Sequence, residues 1–205
     1  MSLRWVYCKQ SNRKMNRPEE EESFKSVSDT IGNRMLLWHG SRVSNFVGIL
    51  SQGLRIAPPE APSTGYMFGK GIYFADMVSK SANYCCASRH FPVGLLVLAE
   101  VATGKMLTLT DSDYYADEQA KNQGCHSTLG RGKTAPDPTG SQKLRDVLVP
   151  CGAPKTDTSL ASSLLYNEYI VYDPRQVCQR YNFQFLNFLV MCARSSFILK
   201  STKSV

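Results

Sequence analysis

The sequence predicts an α+β fold in which sheet outweighs helix. Short apolar runs recur at Met35–Trp38, Gly71–Ala75, Val93–Val101 and Leu164–Tyr172, and runs of this length bounded by Gly, Pro or Asp read as strands. Stretches with helical spacing are few and short, and no internal repeat is visible. At 205 residues and 42% hydrophobic content, the chain suits one domain with a full-sized core.

Residues 1–32 read as a poorly ordered leader, basic from Lys9 to Arg17 and acidic from Glu19 to Glu22, because such charge runs solvate rather than pack. The compact domain is expected over 33–190, followed by a tail at 191–205. Met35–Trp38 forms the first strand, so His39 and Gly40 fall at its end. There a side chain can project into a cleft and a glycine backbone can approach a flat ligand. Ser44 is placed to cap a short helix carrying Phe46, Ile49 and Leu50, which Gly53 stops. Arg55–Lys70 holds three prolines and two glycines; a loop of that length inside a domain is functional or disordered, and Tyr66, Met67 and Phe68 suit one that covers something.

Gly71–Ala75 is a second strand. Asp76 is a good N-cap for a helix over Met77–Cys86, which sets Ser81 and Tyr84 three apart on one face. Val93–Val101 and Lys105–Thr110 read as strands. Asp111–Thr158 is polar, rich in Gly and Pro, and reads mostly as loop. Leu164–Tyr172 is a strong strand whose alternation puts Tyr166, Glu168, Ile170 and Tyr172 on one face. Tyr181–Val190 is the last strand.

The net charge of +7, from 24 basic and 17 acidic residues, suits a polyanionic partner, but the basic residues are scattered and form no stripe. Seven cysteines without a C-x-x-C pair indicate neither a disulfide framework nor a zinc finger. Cys125–His126 has no companion at metal spacing, and Cys85–Cys86 read as half-buried helix residues. Met1–Met15 has no apolar core of a signal peptide. Phe183–Leu199 is interrupted by Asn187 and Arg194, too short to span a bilayer comfortably. The chain therefore reads as intracellular and soluble.

Glu168 is the sharpest single signal. A carboxylate among aromatic and β-branched residues is costly to bury without a partner, and a cleft-facing position suits it better than a solvent-facing one. So placed, it can accept a sugar hydroxyl and stabilise an oxocarbenium-like transition state. His39 fits a satisfied core histidine as well as a ligand contact. Tyr73 and Tyr84 fit core aromatics as well as two faces around a flat ring. Leu129–Thr134 resembles the end of a P-loop, but Ser127 stands where its first Gly belongs, and Pro136 and Pro138 block the helix that must follow. No G-x-G-x-x-G joins a strand to a helix, so a Rossmann site is unsupported.

Four stretches taken together, Leu37–Ser41, Gly65–Asp76, Ser79–Tyr84 and Tyr166–Tyr169, resemble the catalytic domain of poly(ADP-ribose) polymerases, most of all the DNA-damage-responsive nuclear members. The likeness covers roughly Asn33 to Tyr181. It implies an ADP-ribosyltransferase fold of two packed, mostly antiparallel sheets with a few short helices and an NAD cleft. By this resemblance His39 binds the adenosine ribose, while the Gly40 backbone and the Ser81 hydroxyl hold the nicotinamide carboxamide. Tyr84 stacks on the nicotinamide and Tyr73 closes its other side. Glu168 binds the 2-hydroxyl of the nicotinamide ribose and orients the acceptor. Ser41, Asn45, Arg55 and Tyr66 join the NAD-binding set, with Asn45 and Arg55 on the adenosine side. Lys70 sits near the reacting centre, and Met67 and Tyr166 line the acceptor side.

The implied activity is transfer of ADP-ribose from NAD+ to Glu, Asp or Ser side chains and then onto ADP-ribose itself, releasing nicotinamide. His39, Tyr73 and Glu168 together are the combination of chain-elongating members. NAD+ is then a consumed substrate and no metal is expected. The partners would be acceptor proteins and the growing polymer, and the setting nuclear, in the DNA-damage response. The alternative is a catalytically weak NAD- or ADP-ribose-binding pseudo-enzyme. The upstream regulatory helices and nucleic-acid-reading modules of nuclear members are not expected within residues 1–32, and Phe188–Val205 departs from the family's short ending.

Overall fold

The computed structural model describes residues 13–15, 17–58, 60, 66–88 and 90–186. In chain order the elements are β1 (Arg13–Lys14), α1 (Pro18–Ile31), β2 (Arg34–Ser41), α2 (Phe46–Gln52), β3 (Ile72–Phe74), α3 (Val78–Asn83), β4 (Val93–Ala102) and β5 (Met106–Leu109). The second half adds α4 (Ala116–Asn122), β6 (Ser127–Gly130), β7 (Thr134–Pro136), β8 (Gln142–Leu144), β9 (Val147–Val149), β10 (Pro154–Thr156), β11 (Glu168–Val171) and β12 (Val177–Leu186).

Two larger sheets share one core. The first runs β1-β12-β4-β2-β9-β8 and the second β3-β11-β6-β5, with β7 and β10 forming a separate ribbon. Pairing is antiparallel except at β2–β9 and β5–β6. Strand alternation decides what faces inward. Met35 and Leu37 of β2 meet Val97, Ala99 and Val101 of β4, and these pack with Ile72, Phe74, Tyr169 and Val171 of the other sheet. Gly94 is needed within β4, because a Cβ there would lie 2.2 Å from the Phe185 ring. The class is α+β, as expected.

The amino-terminal boundary differs from the sequence reading. Pro18–Ile31 is a 14-residue helix, not a poorly ordered leader. Pro18 stands in its first turn with Glu19, Glu20 and Glu21, an arrangement that suits the positive end of the helix dipole. Phe24 is 1% exposed and packs with Ala102, Cys178 and Ile31. Ion pairs supply the rest of the docking: Arg180 bridges Glu21 of α1 and Glu100 of β4, and Arg34 adds a second cation to Glu100.

Asp111–Thr158 is likewise more structured than its composition suggests, holding α4 and five strands of three or four residues. Asp76 does not cap the next helix; Met77 takes the cap position without a side-chain bond. The tail at 191–205 lies outside the described residues, as do 187–190 of the expected last strand. Among the described residues no helix is long and apolar enough to cross a membrane.

Candidate active site

The site begins where β2 meets the end of β3. Trp38 and Ala75 exchange both backbone hydrogen bonds, at 2.8 and 2.9 Å. By strand alternation Gly40, two residues on, turns its N–H and C=O to that same side, past the end of the bridge. A Cβ on Gly40 would lie 1.8 Å from the Ser81 carbonyl oxygen, so only glycine lets α3 approach β2 this closely. Ser81 is buried, and its hydroxyl donates to the Trp38 carbonyl at 2.9 Å.

His39, half-buried, places Nδ1 2.8 Å from the Tyr73 carbonyl oxygen. Desolvation holds the imidazole below its usual range, opposed by that backbone contact. A neutral ring facing a carbonyl through Nδ1 carries its proton there, which leaves Nε2 as an acceptor for a hydroxyl. The Tyr73 hydroxyl is committed to the preceding loop: it donates to Gly69 O at 2.7 Å and accepts from Phe68 N–H at 3.0 Å. What remains of Tyr73 for a ligand is its ring.

Glu168 opens β11 at 4% exposure, and Lys80 of α3 forms an ion pair with its carboxylate. The Lys80 ammonium also lies 6.0 Å from the centroid of the Tyr84 ring, which is 55% exposed. The entry to β11 is pinned by the next residue. Asn167 donates to the Asp76 carboxylate at 2.7 Å and accepts the Gly132 N–H at 2.9 Å, and the Tyr169 hydroxyl donates to Asp76 at 3.1 Å. Desolvation raises the Asp76 pKa, against those two side-chain hydrogen bonds.

His39, Gly40, Tyr73, Ser81, Tyr84 and Glu168 are thus linked through α3 and the β2–β3 junction. Ser41 and Asn45 form a neighbouring polar pair, with Asn45 Nδ2 donating to Ser41 Oγ at 2.9 Å. Arg55 is exposed on the segment after α2. Tyr66 lies 6.3 Å from Tyr73, ring to ring, and Met67 beside it is 37% exposed. Tyr166 meets Thr134 in an isolated bridge, and its backbone packs against Gly132. Lys70 donates to the Pro58 carbonyl at 2.8 Å. The cation on Glu168 is Lys80.

Lys80, Asp76 and Asn167 belong to the candidate site by their contacts, and sequence reasoning did not assign them to it. Lys80 received no role from the sequence; its signal is its place one turn before Tyr84, on the same helix as Ser81. The assembled groups suit chemistry at a sugar carbon: a buried, orientated carboxylate beside an exposed aromatic ring, the Gly40 backbone and a neutral imidazole acceptor. A separate groove of about 700 Å³ at Asp117, Lys121, His126, Tyr172 and Gln176 contains none of them.

Comparison with known proteins identifies the family. The model of the poly(ADP-ribose) polymerase catalytic domain family matches residues 11–187. The poly [ADP-ribose] polymerase of Drosophila melanogaster is 58% identical over 172 residues, covering 83% of this chain and 17% of its own length. Poly [ADP-ribose] polymerase 1 of Arabidopsis thaliana is 56% identical, covering 80% of this chain and 16% of its own. Poly [ADP-ribose] polymerase 2-A of Oryza sativa subsp. japonica is 57% identical, covering 82% and 25%. The chain therefore spans a quarter or less of these relatives. With a matched segment that takes in α1 and every strand of both large sheets, the chain belongs to the poly(ADP-ribose) polymerase catalytic domain family.

Proposed function

We propose that the chain is an NAD+-dependent poly-ADP-ribosyltransferase that modifies protein Glu, Asp or Ser side chains and extends the chain from ADP-ribose hydroxyls. The observation that carries this reading is the largely buried Lys80–Glu168 pair, beside the Tyr84 ring and on the helix that Gly40 lets pack closely against β2. NAD+ fits as the substrate. A carboxamide suits the Gly40 backbone and Ser81, a planar ring suits Tyr73 and Tyr84, and a ribose hydroxyl suits His39 Nε2. Ser41, Asn45, Arg55 and Tyr66 would line the rest of the dinucleotide, while Met67 and Tyr166 face the acceptor.

In the reaction the bond between ribose C1 and the nicotinamide nitrogen breaks, and its electron pair leaves with nicotinamide. Positive charge develops on the ribose, where the Glu168 carboxylate stabilises it through the 2-hydroxyl. The acceptor oxygen bonds to C1 and its proton passes to Glu168 or water. Lys80 pairs with the carboxylate and holds it in place. A nuclear role in DNA repair follows from the resemblance.

The test is incubation of the purified chain with NAD+, following nicotinamide release and polymer ladders. Release with ladders supports the proposal; NAD+ binding without release would favour a pseudo-enzyme.

A further inference from the structure

Strand pairing holds the start of β11 unequally on its two flanks. Glu168 pairs with Gly130 of β6, but pairing with β3 ends at Tyr169 and Phe74. Ala75, which follows Phe74, exchanges its backbone bonds with Trp38 of β2 instead. On the β3 side the ladder therefore stops one residue short of Glu168, where the aim of the strand matters most. A side chain takes over that flank. Asp76 is 5% exposed, and its Oδ2 accepts from Asn167 Nδ2 at 2.7 Å and from the Tyr169 hydroxyl at 3.1 Å.

The two residues that Asp76 holds are those on either side of Glu168. By strand alternation their side chains leave the chain on the face opposite Glu168. Two bonds to one oxygen on that face fix the roll of the strand about its own axis, and the roll sets where the Glu168 carboxylate points. Asn167 carries the hold further, since its Oδ1 accepts the Gly132 N–H at 2.9 Å. Asn167 and Tyr169 are buried too, so loss of the acceptor would strand two donors away from water. The other end of the clamp leads to Lys80. Asp76 lies in the connection between β3 and α3, two residues before Val78 opens the helix that carries Lys80. One carboxylate thus ties together the segments that present the two members of the Lys80–Glu168 pair.

We infer that Asp76 is a positioning residue for the transfer step: its Oδ2 aims Glu168 through Asn167 and Tyr169, and an acceptor oxygen at that place is what the reaction requires. Oδ1 takes neither bond, so an asparagine with its oxygen in the Oδ2 place keeps the clamp. The role rests on the transferase reading and adds to it a residue that acts through Glu168.

The test follows nicotinamide release by the full chain carrying Asp76→Ala, Asp76→Asn or Tyr169→Phe, well below each melting temperature. Asp76→Ala should lower kcat about 100-fold with KM for NAD+ little changed. Asp76→Asn should stay within about twofold of wild type, and Tyr169→Phe, which removes one bond and keeps the ring, should lose about fivefold. A role in folding alone would lower activity in any background. Added to Glu168→Gln, whose residual release does not use the carboxylate, Asp76→Ala should cost nothing further. Wild-type kcat in Tyr169→Phe, an equal loss in the Glu168→Gln background, or an Asp76→Asn variant as poor as Asp76→Ala would each overturn the inference. Carboxyl carbon NMR of the glutamate-labelled chain reads the aim of Glu168 without turnover, its signal assigned by absence from Glu168→Gln. That signal should move in Asp76→Ala and Tyr169→Phe and stay in Asp76→Asn; a signal unmoved by Tyr169→Phe would also overturn the clamp, so the outcome does not depend on Asp76→Ala folding. A wild-type chain that releases no nicotinamide would remove the transferase reading, while the NMR signal still decides the clamp.

Discussion

Lys80 and Glu168 form an ion pair between α3 and β11, 88 positions apart in sequence and both largely withdrawn from solvent. An ammonium there compensates the buried carboxylate and fixes its aim, where an unpartnered carboxylate would be costly to bury.

Lys80→Met should therefore reduce kcat for nicotinamide release by 100-fold or more with a smaller change in NAD+ affinity. It leaves an unpaired buried carboxylate, at a cost on the order of 3 kcal/mol. Glu168→Gln should keep NAD+ binding and end polymer formation. Combining the two removes the orphaned charge, so the double variant should melt higher than Lys80→Met alone yet stay inactive. Strictly additive melting shifts across that cycle would show that the pair is not coupled.

Gly40→Ala tests the floor of the cleft. The added carbon would overlap the Ser81 carbonyl at 1.8 Å, and backbone on both sides leaves no flexible side chain to yield. The expected outcome is separation of α3 from β2, a melting temperature several degrees lower and loss of nicotinamide-like ligands. Wild-type affinity for such a ligand in calorimetry would mean that α3 does not form the pocket wall.

Ser81→Ala and Tyr84→Ala should weaken nicotinamide-like ligands more than adenosine analogues, each by about 1 kcal/mol. Equal losses for both ligand classes would place the nicotinamide elsewhere.

His39 gives a pH dependence with a definite sign. Its folded-state pKa is depressed, first by desolvation. The stabilisation it contributes is complete above the unfolded value of about 6.5 and is lost as pH falls below it. NAD+ affinity should decline lower still, as pH falls through the depressed folded value, because a protonated Nε2 no longer accepts a hydroxyl. Thermal melts and NAD+ titrations between about pH 5 and 8 should show both effects, and His39→Gln should flatten them. Parallel curves for the two proteins would remove His39 from the titration.

The strands that build the cleft were legible because their physics is local. β2, β3 and β4 each carry an apolar run, and Glu168 stands out as a charge among aromatic and β-branched residues. What sequence reasoning missed depends on partners far away in the chain. Asp76 looks like a helix cap, but Asn167 and Tyr169 claim its carboxylate. Lys80 has no visible role until β11 brings Glu168 to it. β6 to β10 are too short to show a period; β6, β7 and β10 are defined by long-range pairing, and β8 and β9 by a tight hairpin whose β9 also joins β2. α1 looks like a charged tail because its docking surface is Phe24, part of Ile31 and a set of ions.

That helix supplies the last prediction. Gln179 pairs with Ala99 and Tyr181 with Leu98, so Arg180 is the extra residue of a bulge in β12. A bulge bends a strand and re-aims its side chain, and here the guanidinium reaches both Glu21 of α1 and Glu100 of β4. Glu100 is 6% exposed, with Arg34 Nη1 at 3.1 Å as its other cation. Arg180→Met removes the bridge, leaves Glu100 half-compensated, and should cost on the order of 2–3 kcal/mol. The loss should concentrate at the α1 interface, since the core between the two sheets contains neither residue. Hydrogen exchange should accelerate across Glu19–Ile31 far more than across β4, and a second substitution, Glu100→Gln, should recover part of the melting temperature by removing the stranded charge. Unchanged protection of the α1 amides in Arg180→Met would show that Phe24 alone docks the helix.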